Sequence, residues 1–171
     1  MGVIMRYIDL DGVILDTEDI IFNKLLFDCS NLTEEFIFPF VVNVNWAYVL
    51  EHAKEINDSI NILRSMNPKE SAILTRVHSN QEADAKINYF KSICIKQEVI
   101  PVFYPYKKND IVDAKDNILV DDSLRNLRYW AMDGGYPMFF DKNENGIDSW
   151  DEYNVKGFQK VLRIDENIKR K

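Results

Sequence analysis

Two aspartate pairs in the sequence each follow a short apolar run. Asp9 and Asp11 stand at the end of the first run of the chain, and Asp121 and Asp122 come directly after the run 118–120. In an extended chain, a spacing of two residues directs the side chains of Asp9 and Asp11 to the same side. Folding alone explains such acids poorly, because unpaired carboxylates beside a core are costly. Since hard cations such as Mg²⁺ bind a few carboxylate oxygens and water, the two pairs predict a magnesium site.

Further residues could complete a phosphate site beside these acids. Thr75 ends the apolar run 71–75, where its hydroxyl could donate to a phosphoryl oxygen. Gly12 lets the backbone turn close to a ligand. A phosphoryl group also needs a cation that is not bound to the metal, and Lys107 or Lys108, just beyond the third apolar run, can supply it.

The apolar runs that carry these residues have the length of β-strands and are bounded by polar or turn residues. Between the later runs lie helical patterns at 81–95 and 123–132, and Gly134-Gly135 stops the second. Strands that alternate with helices predict an α/β fold, with a mainly parallel five-stranded sheet covered on both faces. The strands are expected at residues 3–9, 71–75, 99–104, 117–121 and 136–140.

The segment between the first two strands is longer than a crossover helix requires. Its last part, residues 48–66, has apolar residues at helical spacing and is expected to form one helix that covers the sheet. The part before it, residues 16–47, is expected to be a small helical cap inserted after strand 1. We therefore predict one catalytic core, made of residues 1–15 and 48–171, that carries the cap as an insertion.

Charge and hydropathy argue against several classes of partner. The net charge of −7 opposes polyanions, and the basic cluster at 169–171 is interpreted as a solvated terminus, so a nucleic acid polymer is not expected. The most apolar stretch, 36–50, is interrupted by a proline and two asparagines and is too short to span a bilayer. No membrane partner is therefore expected.

The cysteines and the N-terminus bear on the compartment. Cys29 and Cys94 form no CxxC or metal-ligand spacing and are expected to be buried free thiols, which fits a reducing environment. The N-terminus leads straight into an apolar run without a basic region and a cleavage site, so no secretory signal is expected. These features favour a cytoplasmic protein.

Taken in chain order, the motifs resemble the haloacid dehalogenase superfamily of phosphohydrolases. They are the stretch Tyr7-Ile8-Asp9-Leu10-Asp11-Gly12-Val13, then Thr75, a lysine after the third strand, the pair Asp121-Asp122, and the turn Gly134-Gly135-Tyr136-Pro137. The resemblance covers nearly the whole chain and implies a Rossmann-like three-layer sandwich. The segment 105–112 is similar to the lysine segment of the 5'-nucleotidase and 5'(3')-deoxyribonucleotidase-like branch.

The resemblance also implies roles for the acids. Asp9 would be the nucleophile that forms an aspartyl-phosphate, and Asp11 would protonate the leaving oxygen and then activate water. Mg²⁺ would be held by Asp9, the backbone carbonyl of Asp11, and Asp122, with Asp121 as a second ligand or as a neighbour of the ligands.

The resemblance assigns the phosphate contacts to Thr75, the adjacent Arg76 and a lysine. The nucleotidase-like segment places Lys108 best in the lysine role, and Lys107 is the next choice. The simpler interpretation of any one of these lysines is a solvated surface residue. Three other lysines are left as alternatives: Lys86, Lys91 and Lys115.

These assignments predict a Mg²⁺-dependent phosphomonoesterase acting on a small phosphorylated metabolite, with a nucleoside or deoxynucleoside 5'-monophosphate as the best single choice. A sugar-phosphate or phosphoglycolate-type phosphatase of the same superfamily is the alternative. A non-catalytic module is less expected, because Asp9 and Asp11 are both present. The aromatic residues of the cap are expected to form mostly its own core, with one or two facing substrate, and His78 is expected near the mouth of the site.

A calcium-binding function is the least expected of the alternatives. Residues 141–152 formally satisfy the calcium-loop pattern. However, a predicted strand precedes them where a helix belongs, and Asp148 occupies a position that is usually apolar. A polar loop after the last strand is therefore favoured.

Overall fold

The structure, a computed structural model, describes residues 4–25 and 34–142 of the 171-residue chain. Its centre is a parallel five-stranded sheet, accompanied by a separate antiparallel strand pair. The strands of the described residues, in chain order, are β1 (Arg6–Ile8), β2 (Leu15–Asp16), β3 (Lys54–Glu55), β4 (Ser71–Val77), β5 (Glu98–Phe103), β6 (Ile118–Asp121) and β7 (Tyr136–Phe139).

The main sheet has the strand order β5-β4-β1-β6-β7, and every neighbouring pair is parallel. β1 lies at the centre, with Ile8 paired to Ile73 of β4 on one side and to Val120 of β6 on the other. The predicted mainly parallel five-stranded sheet is confirmed. The strand ends differ by a few residues: β1 begins only at Arg6, and β4 continues to Val77.

Helices of the described residues connect the strands. A π-helical segment, Asp19–Leu25, precedes α1 (Glu34–Asn43), α2 (Trp46–His52), α3 (Ser59–Ser65), α4 (Asn80–Ser92), α5 (Lys108–Ile111) and α6 (Leu124–Met132). Serine hydroxyls define where two of them begin, because Ser79 accepts from the Glu82 backbone N–H and Ser123 accepts from the Asn126 backbone N–H.

Alternate residues of the central strands pack into two different hydrophobic clusters. Ile8 and Ile73 belong to one cluster, which Phe90 of α4 also joins. Tyr7 belongs to the other, together with Trp130 of α6, whose ring lies edge-on to that of Tyr7. Because side chains of a strand alternate between its faces, the two clusters lie on opposite sides of the sheet. This is the three-layer α/β sandwich that the sequence predicts.

The predicted single helix over residues 48–66 is wrong. Two helices, α2 and α3, lie there, separated by β3, which pairs antiparallel with β2. The chain leaves the helical region at the extended Ala53, and Asn57 and Asp58, with left-handed φ values of 50° and 59°, precede α3. The segment between β2 and β3 is thus closed by the pairing of these two strands. β2 follows Asp9 and Asp11 closely in the chain.

The two cysteines and the calcium-like segment differ in how far the structure describes them. Cys94 is exposed, so the prediction of a buried thiol is wrong for it; it follows α4 at a left-handed turn, with φ of 60°, rather than lying on the packed face of the helix. Cys29 and most of the calcium-like segment 141–152 lie outside the described residues. Among the helices of residues 4–25 and 34–142, none has the length and apolar character needed to cross a bilayer.

Candidate active site

Three carboxylates meet beyond the carboxyl ends of β1 and β6. Asp9, Asp121 and Asp122 each place one oxygen within 4.8 Å of the others. The backbone sets this approach, since the Asp9 N–H donates to the Val120 carbonyl at 2.9 Å and ties the ends of the two strands together. The two aspartate pairs of the sequence thus lie at one edge of the sheet, where ligands of open α/β sheets bind.

Gly12 gives Asp122 the room to join this cluster. Its φ is +76°, a left-handed angle that side chains with a Cβ rarely adopt, and a Cβ there would overlap Asp122 Oδ2. The glycine after the first aspartate pair is therefore required both by the turn and by the close approach of the second pair.

Two of the clustered acids resist ionisation. Burial, followed by repulsion from Asp9, Asp121 and Glu18, raises the pKa of Asp122 to about 8. Burial likewise raises the pKa of Asp9 to about 7, against the attraction of the Lys108 ammonium. A hard divalent cation would relieve this repulsion and would find the oxygen donors that it prefers. The donor set therefore fits Mg²⁺.

Lys108 stands between the nucleophile candidate and the second acidic pair. Its buried Nζ lies 2.8 Å from Asp9 Oδ1 and 2.6 Å from Asp121 Oδ2. Asn126 also donates to Asp121, at 3.0 Å to Oδ2, which fixes that carboxylate from α6. Although burial favours the neutral amine, the two carboxylates raise the pKa of Lys108, so it stays charged.

Asp11 has a second buried lysine as its partner. Lys86 Nζ lies 2.7 Å from Asp11 Oδ2, while the hydroxyls of Thr17 and Thr75 donate to Asp11 at 2.7 Å and 3.2 Å. Burial opposes the charge of Asp11, but Lys86 and these hydrogen bonds outweigh it and hold the pKa of Asp11 below its usual range. In the described state Asp11 is therefore an anion.

The two lysines differ in the donors that remain for a substrate. Lys86 Nζ has four acceptors around it, namely Asp11, Thr75, the Arg76 carbonyl and Glu82, and an ammonium has only three hydrogens. Among the described residues, Lys108 has two acceptors, Asp9 and Asp121. Lys108 thus retains a hydrogen for a phosphoryl oxygen, whereas Lys86 does not.

The other predicted phosphate ligands have mixed placements. Thr75 lies in the site, hydrogen-bonded to Asp11. Arg76 contributes its carbonyl, which accepts from Lys86 at 2.9 Å, while its Nε is buried and has no hydrogen-bond partner among the described residues. Lys107 turns to the Tyr129 ring, with Nζ 4.0 Å from the ring centroid. The remaining alternatives, Lys91 and Lys115, are exposed.

Sequence reasoning missed the pairing of Lys86 with Asp11 and gave no role to Glu82. Glu82 is 1% exposed and lies 2.8 Å from Lys86 Nζ, one helical turn away on α4. The spacing of four residues in a helical pattern was a signal for this pair, but that spacing is also common on solvated helix faces. Thr17 and Trp46, whose ring lies 4.5 Å from Lys86 Nζ, carried no signal in the sequence.

Three aromatic rings cluster next to this network. His78, which donates its backbone N–H to Glu82 at 2.8 Å, has ring centroids 5.7 Å from Phe38 and 6.1 Å from Tyr104. Phe38 belongs to the inserted segment and is 43% exposed, and Tyr104 follows β5 and is 56% exposed. The Phe38 and Tyr104 rings are therefore partly exposed, and His78 links them to Lys86 through Glu82.

A parallel sheet with these carboxylates beyond its central strands places the chain among the three-layer α/β folds. No protein-family profile matches the sequence, and no curated protein matches it. Among solved structures, the chain resembles a haloacid dehalogenase-like family hydrolase from Streptococcus pneumoniae, with a TM-score of 0.59 and 13% identity over 98% of this chain and 100% of that one.

Two further solved structures are similar over most of the chain. One is a haloacid dehalogenase superfamily hydrolase from Ehrlichia chaffeensis, with a TM-score of 0.44 and 9% identity over 95% of this chain and 96% of that chain. The other is a hydrolase from Streptococcus pneumoniae, with a TM-score of 0.47 and 16% identity over 95% of this chain and 100% of that chain. The fold of this chain is that of the haloacid dehalogenase-like hydrolases, as the first likeness indicates.

Proposed function

We propose that the protein is a Mg²⁺-dependent phosphomonoesterase that uses the Asp9 carboxylate as its nucleophile. The observation that carries the proposal is the position of Asp9, which belongs to a three-carboxylate cluster suited to Mg²⁺ and contacts a buried lysine with a hydrogen to spare. A nucleophile that is anionic can attack an anionic phosphate only where positive charge offsets their repulsion.

Each residue of the site has a chemical task in this proposal. An Asp9 oxygen bonds to phosphorus as the ester P–O bond breaks, and Asp11 gives a proton to the leaving oxygen. Since Asp11 is ionised in the described state, it takes up that proton before the step. Water then attacks the aspartyl-phosphate, Asp11 accepts a proton from it, and the Asp9 carboxylate is restored.

Lys108 would bind and orient the phosphoryl group in this mechanism, and Thr75 would join it by turning its hydroxyl hydrogen from Asp11 to a phosphoryl oxygen. Mg²⁺, held by Asp9, Asp122 and the Asp11 carbonyl, with Asp121 as a second ligand or neighbour, would supply charge that offsets the build-up of negative charge at phosphorus. Arg76 would contact the phosphoryl group through its side chain, whose buried Nε has no hydrogen-bond partner among the described residues, whereas its backbone carbonyl accepts from Lys86.

As the substrate, we favour a nucleoside or deoxynucleoside 5'-monophosphate, whose leaving group is the nucleoside. The support is the Phe38, His78 and Tyr104 cluster, since exposed aromatic faces can stack on a nucleobase. A sugar phosphate or phosphoglycolate is the alternative, and it would gain little from these rings. We further propose that the protein works in the cytoplasm on small free metabolites.

The test is a phosphate-release screen over nucleotides and sugar phosphates, with Mg²⁺ and with chelator. Asp9→Asn should lose activity, whereas Asp84→Asn, the same chemical change at an exposed position of α4, should keep it. No phosphate from any substrate, or full activity of Asp9→Asn, would refute the proposal.

The choice of substrate class has its own test. Tyr104→Ala should raise KM for nucleotides while leaving KM for sugar phosphates unchanged, because only a base can stack on the ring. If sugar phosphates are the better substrates of the wild type and Tyr104→Ala changes neither KM, the alternative class is correct.

A further inference from the structure

Lys86 and its carboxylate partners form a second group of buried charges in the site. The mechanism proposed above gives Lys86 no role. Its side chain is fully buried, with Nζ 2.7 Å from Asp11 Oδ2 and 2.8 Å from Glu82 Oε1. A buried lysine between two carboxylates is costly to assemble unless the geometry is good and the remaining hydrogens are satisfied. The conditions are met here, because the Arg76 carbonyl and the Thr75 hydroxyl lie within hydrogen-bond distance as well.

The surroundings fix Lys86 in one place. Glu82 is held in turn by the backbone N–H of His78, which donates to Oε2 at 2.8 Å. On another side, the Trp46 ring lies 4.5 Å from Lys86 Nζ, at a distance suited to a cation–π contact. With neighbours on these sides, Lys86 cannot rotate away from Asp11 without leaving buried charges unpaired.

This environment excludes direct contact between Lys86 and a phosphoryl group, because its acceptors already exceed its hydrogens. Its effect on chemistry must then pass through Asp11. Thr17 Oγ1 donates to the other oxygen of Asp11, Oδ1, at 2.7 Å, so both carboxylate oxygens are fixed.

We infer that Lys86 is a positioning residue that holds the Asp11 carboxylate as the base for hydrolysis of the aspartyl-phosphate. This inference rests on the proposed function. In that step a water oxygen bonds to phosphorus, the bond between phosphorus and the Asp9 oxygen breaks, and the water proton passes to Asp11. A carboxylate that is tied at both oxygens is held in one orientation, which is the preorganisation that general-base catalysis requires.

The test is Lys86→Met assayed by rapid mixing with p-nitrophenyl phosphate. Nitrophenolate leaves without much help from an acid, so phosphorylation of Asp9 should proceed, and kcat/KM should stay within about threefold of the wild type. Hydrolysis of the aspartyl-phosphate should slow, so kcat and KM should fall together by about 10- to 100-fold. A burst of nitrophenolate close to one per enzyme should appear.

The matched control is Lys91→Met, the same change at an exposed position of α4, which should show wild-type kinetics. A merely structural role for Lys86 would lower kcat and kcat/KM in parallel without a burst, because fewer molecules would be folded. That result, or unchanged kinetics in Lys86→Met, would overturn the inference.

Lys86→Met leaves Asp11 and Glu82 without their cation and is therefore expected to be less stable. The double variant Lys86→Met with Glu82→Gln removes one of these charges and serves as the second test, with the same burst expected.

Failure of the inference is distinguishable from failure of the proposed function. In the first case the wild type is active and Asp9→Asn is inactive but no burst appears; in the second the wild type does not cleave the ester.

Discussion

Lys107 and Lys108 are neighbours in the sequence but lie in opposite environments. Lys108 is buried between Asp9 and Asp121, while Lys107 contacts the Tyr129 ring. The sequence segment favoured Lys108 without excluding Lys107, and the structure places only Lys108 beside Asp9. The two lysines differ in burial: Lys107 is the residue before the short helix α5, whereas Lys108 is its first residue and is buried.

The first prediction follows from this difference. Lys108→Met should lower kcat/KM by about 100- to 1,000-fold, because a preorganised donor to the phosphoryl group is lost. Lys107→Met should retain activity within about threefold, since its ammonium contacts an aromatic ring and not the site. Steady-state kinetics on the best ester of the screen measures both. Equal effects of the two substitutions would contradict the assignment.

A second prediction concerns Asp122, the least compensated acid of the cluster. Asp122→Asn should weaken Mg²⁺ binding by at least about tenfold, because a charged ligand is replaced by a neutral one. The apparent Mg²⁺ affinity is measured by titrating activity with the metal. Asp84→Asn, the same change at an exposed position of α4, is the matched control and should leave the affinity unchanged.

Some of the residue-scale site could be predicted and some could not. Asp9, Asp11, Asp121 and Asp122 were predictable, because acids directly after apolar strands have few structural explanations. The Lys86 contact with Asp11 joins positions 75 residues apart, and nothing in the sequence distinguishes a buried lysine from a solvated one. That contact depends on how α4 packs, which periodicity does not specify.

At the scale of elements, the turn after β1 lets the two acidic pairs approach each other closely. Gly12→Ala should abolish most activity, because the new Cβ would overlap Asp122 Oδ2 in addition to straining a φ of +76°. Gly134→Ala is the matched control: its φ is +81°, but the nearest atom to its Cβ would be Lys115 Cγ at an ordinary 3.8 Å.

Both glycine substitutions should cost about 1 kcal/mol of folding free energy from backbone strain, as thermal unfolding can measure. Only Gly12→Ala should also lose Mg²⁺-dependent phosphate release. If Gly134→Ala loses as much activity, overlap with Asp122 is not the cause.

Residues 48–66, predicted as one helix of the core, show where element prediction fails. Apolar residues such as Leu50, Ile56 and Ile60 do recur at helical spacing, and all three are buried. Yet β3 interrupts the helix to pair with β2, a partner nearly forty residues earlier in the chain. Periodicity reports which residues face a core, but a short strand pair depends on a distant partner that periodicity does not identify.

At the scale of the whole molecule, the strand order explains why distant motifs meet. β1 lies between β4 and β6, so the ends of these strands bring Asp9, Thr75 and Asp121 to one edge. Parallel strands have a common carboxyl end, which is why the site could be predicted once the runs were recognised as strands. The order itself could not be read from the sequence without the resemblance.

A fourth prediction belongs to this scale. Because the carboxylate cluster exists only in the folded chain, Mg²⁺ should stabilise it against unfolding, by about 2.7 kcal/mol at 100 times the dissociation constant. Thermal unfolding with Mg²⁺ and with chelator measures the effect. Asp122→Asn should reduce it, and equal stabilisation of both proteins would place the bound metal elsewhere.

The most direct test of the account is to locate the phosphoryl group on the enzyme. The wild type and Lys86→Met are mixed with p-nitrophenyl phosphate and Mg²⁺, quenched in acid and reduced with borohydride, which converts a phosphorylated aspartate to homoserine. Peptide mass mapping should then find homoserine at position 9 in both proteins, with more of it in Lys86→Met, and none in Asp9→Asn. Homoserine at position 11, or phosphate release with no modified aspartate in any sample, would contradict the claim that Asp9 is the nucleophile.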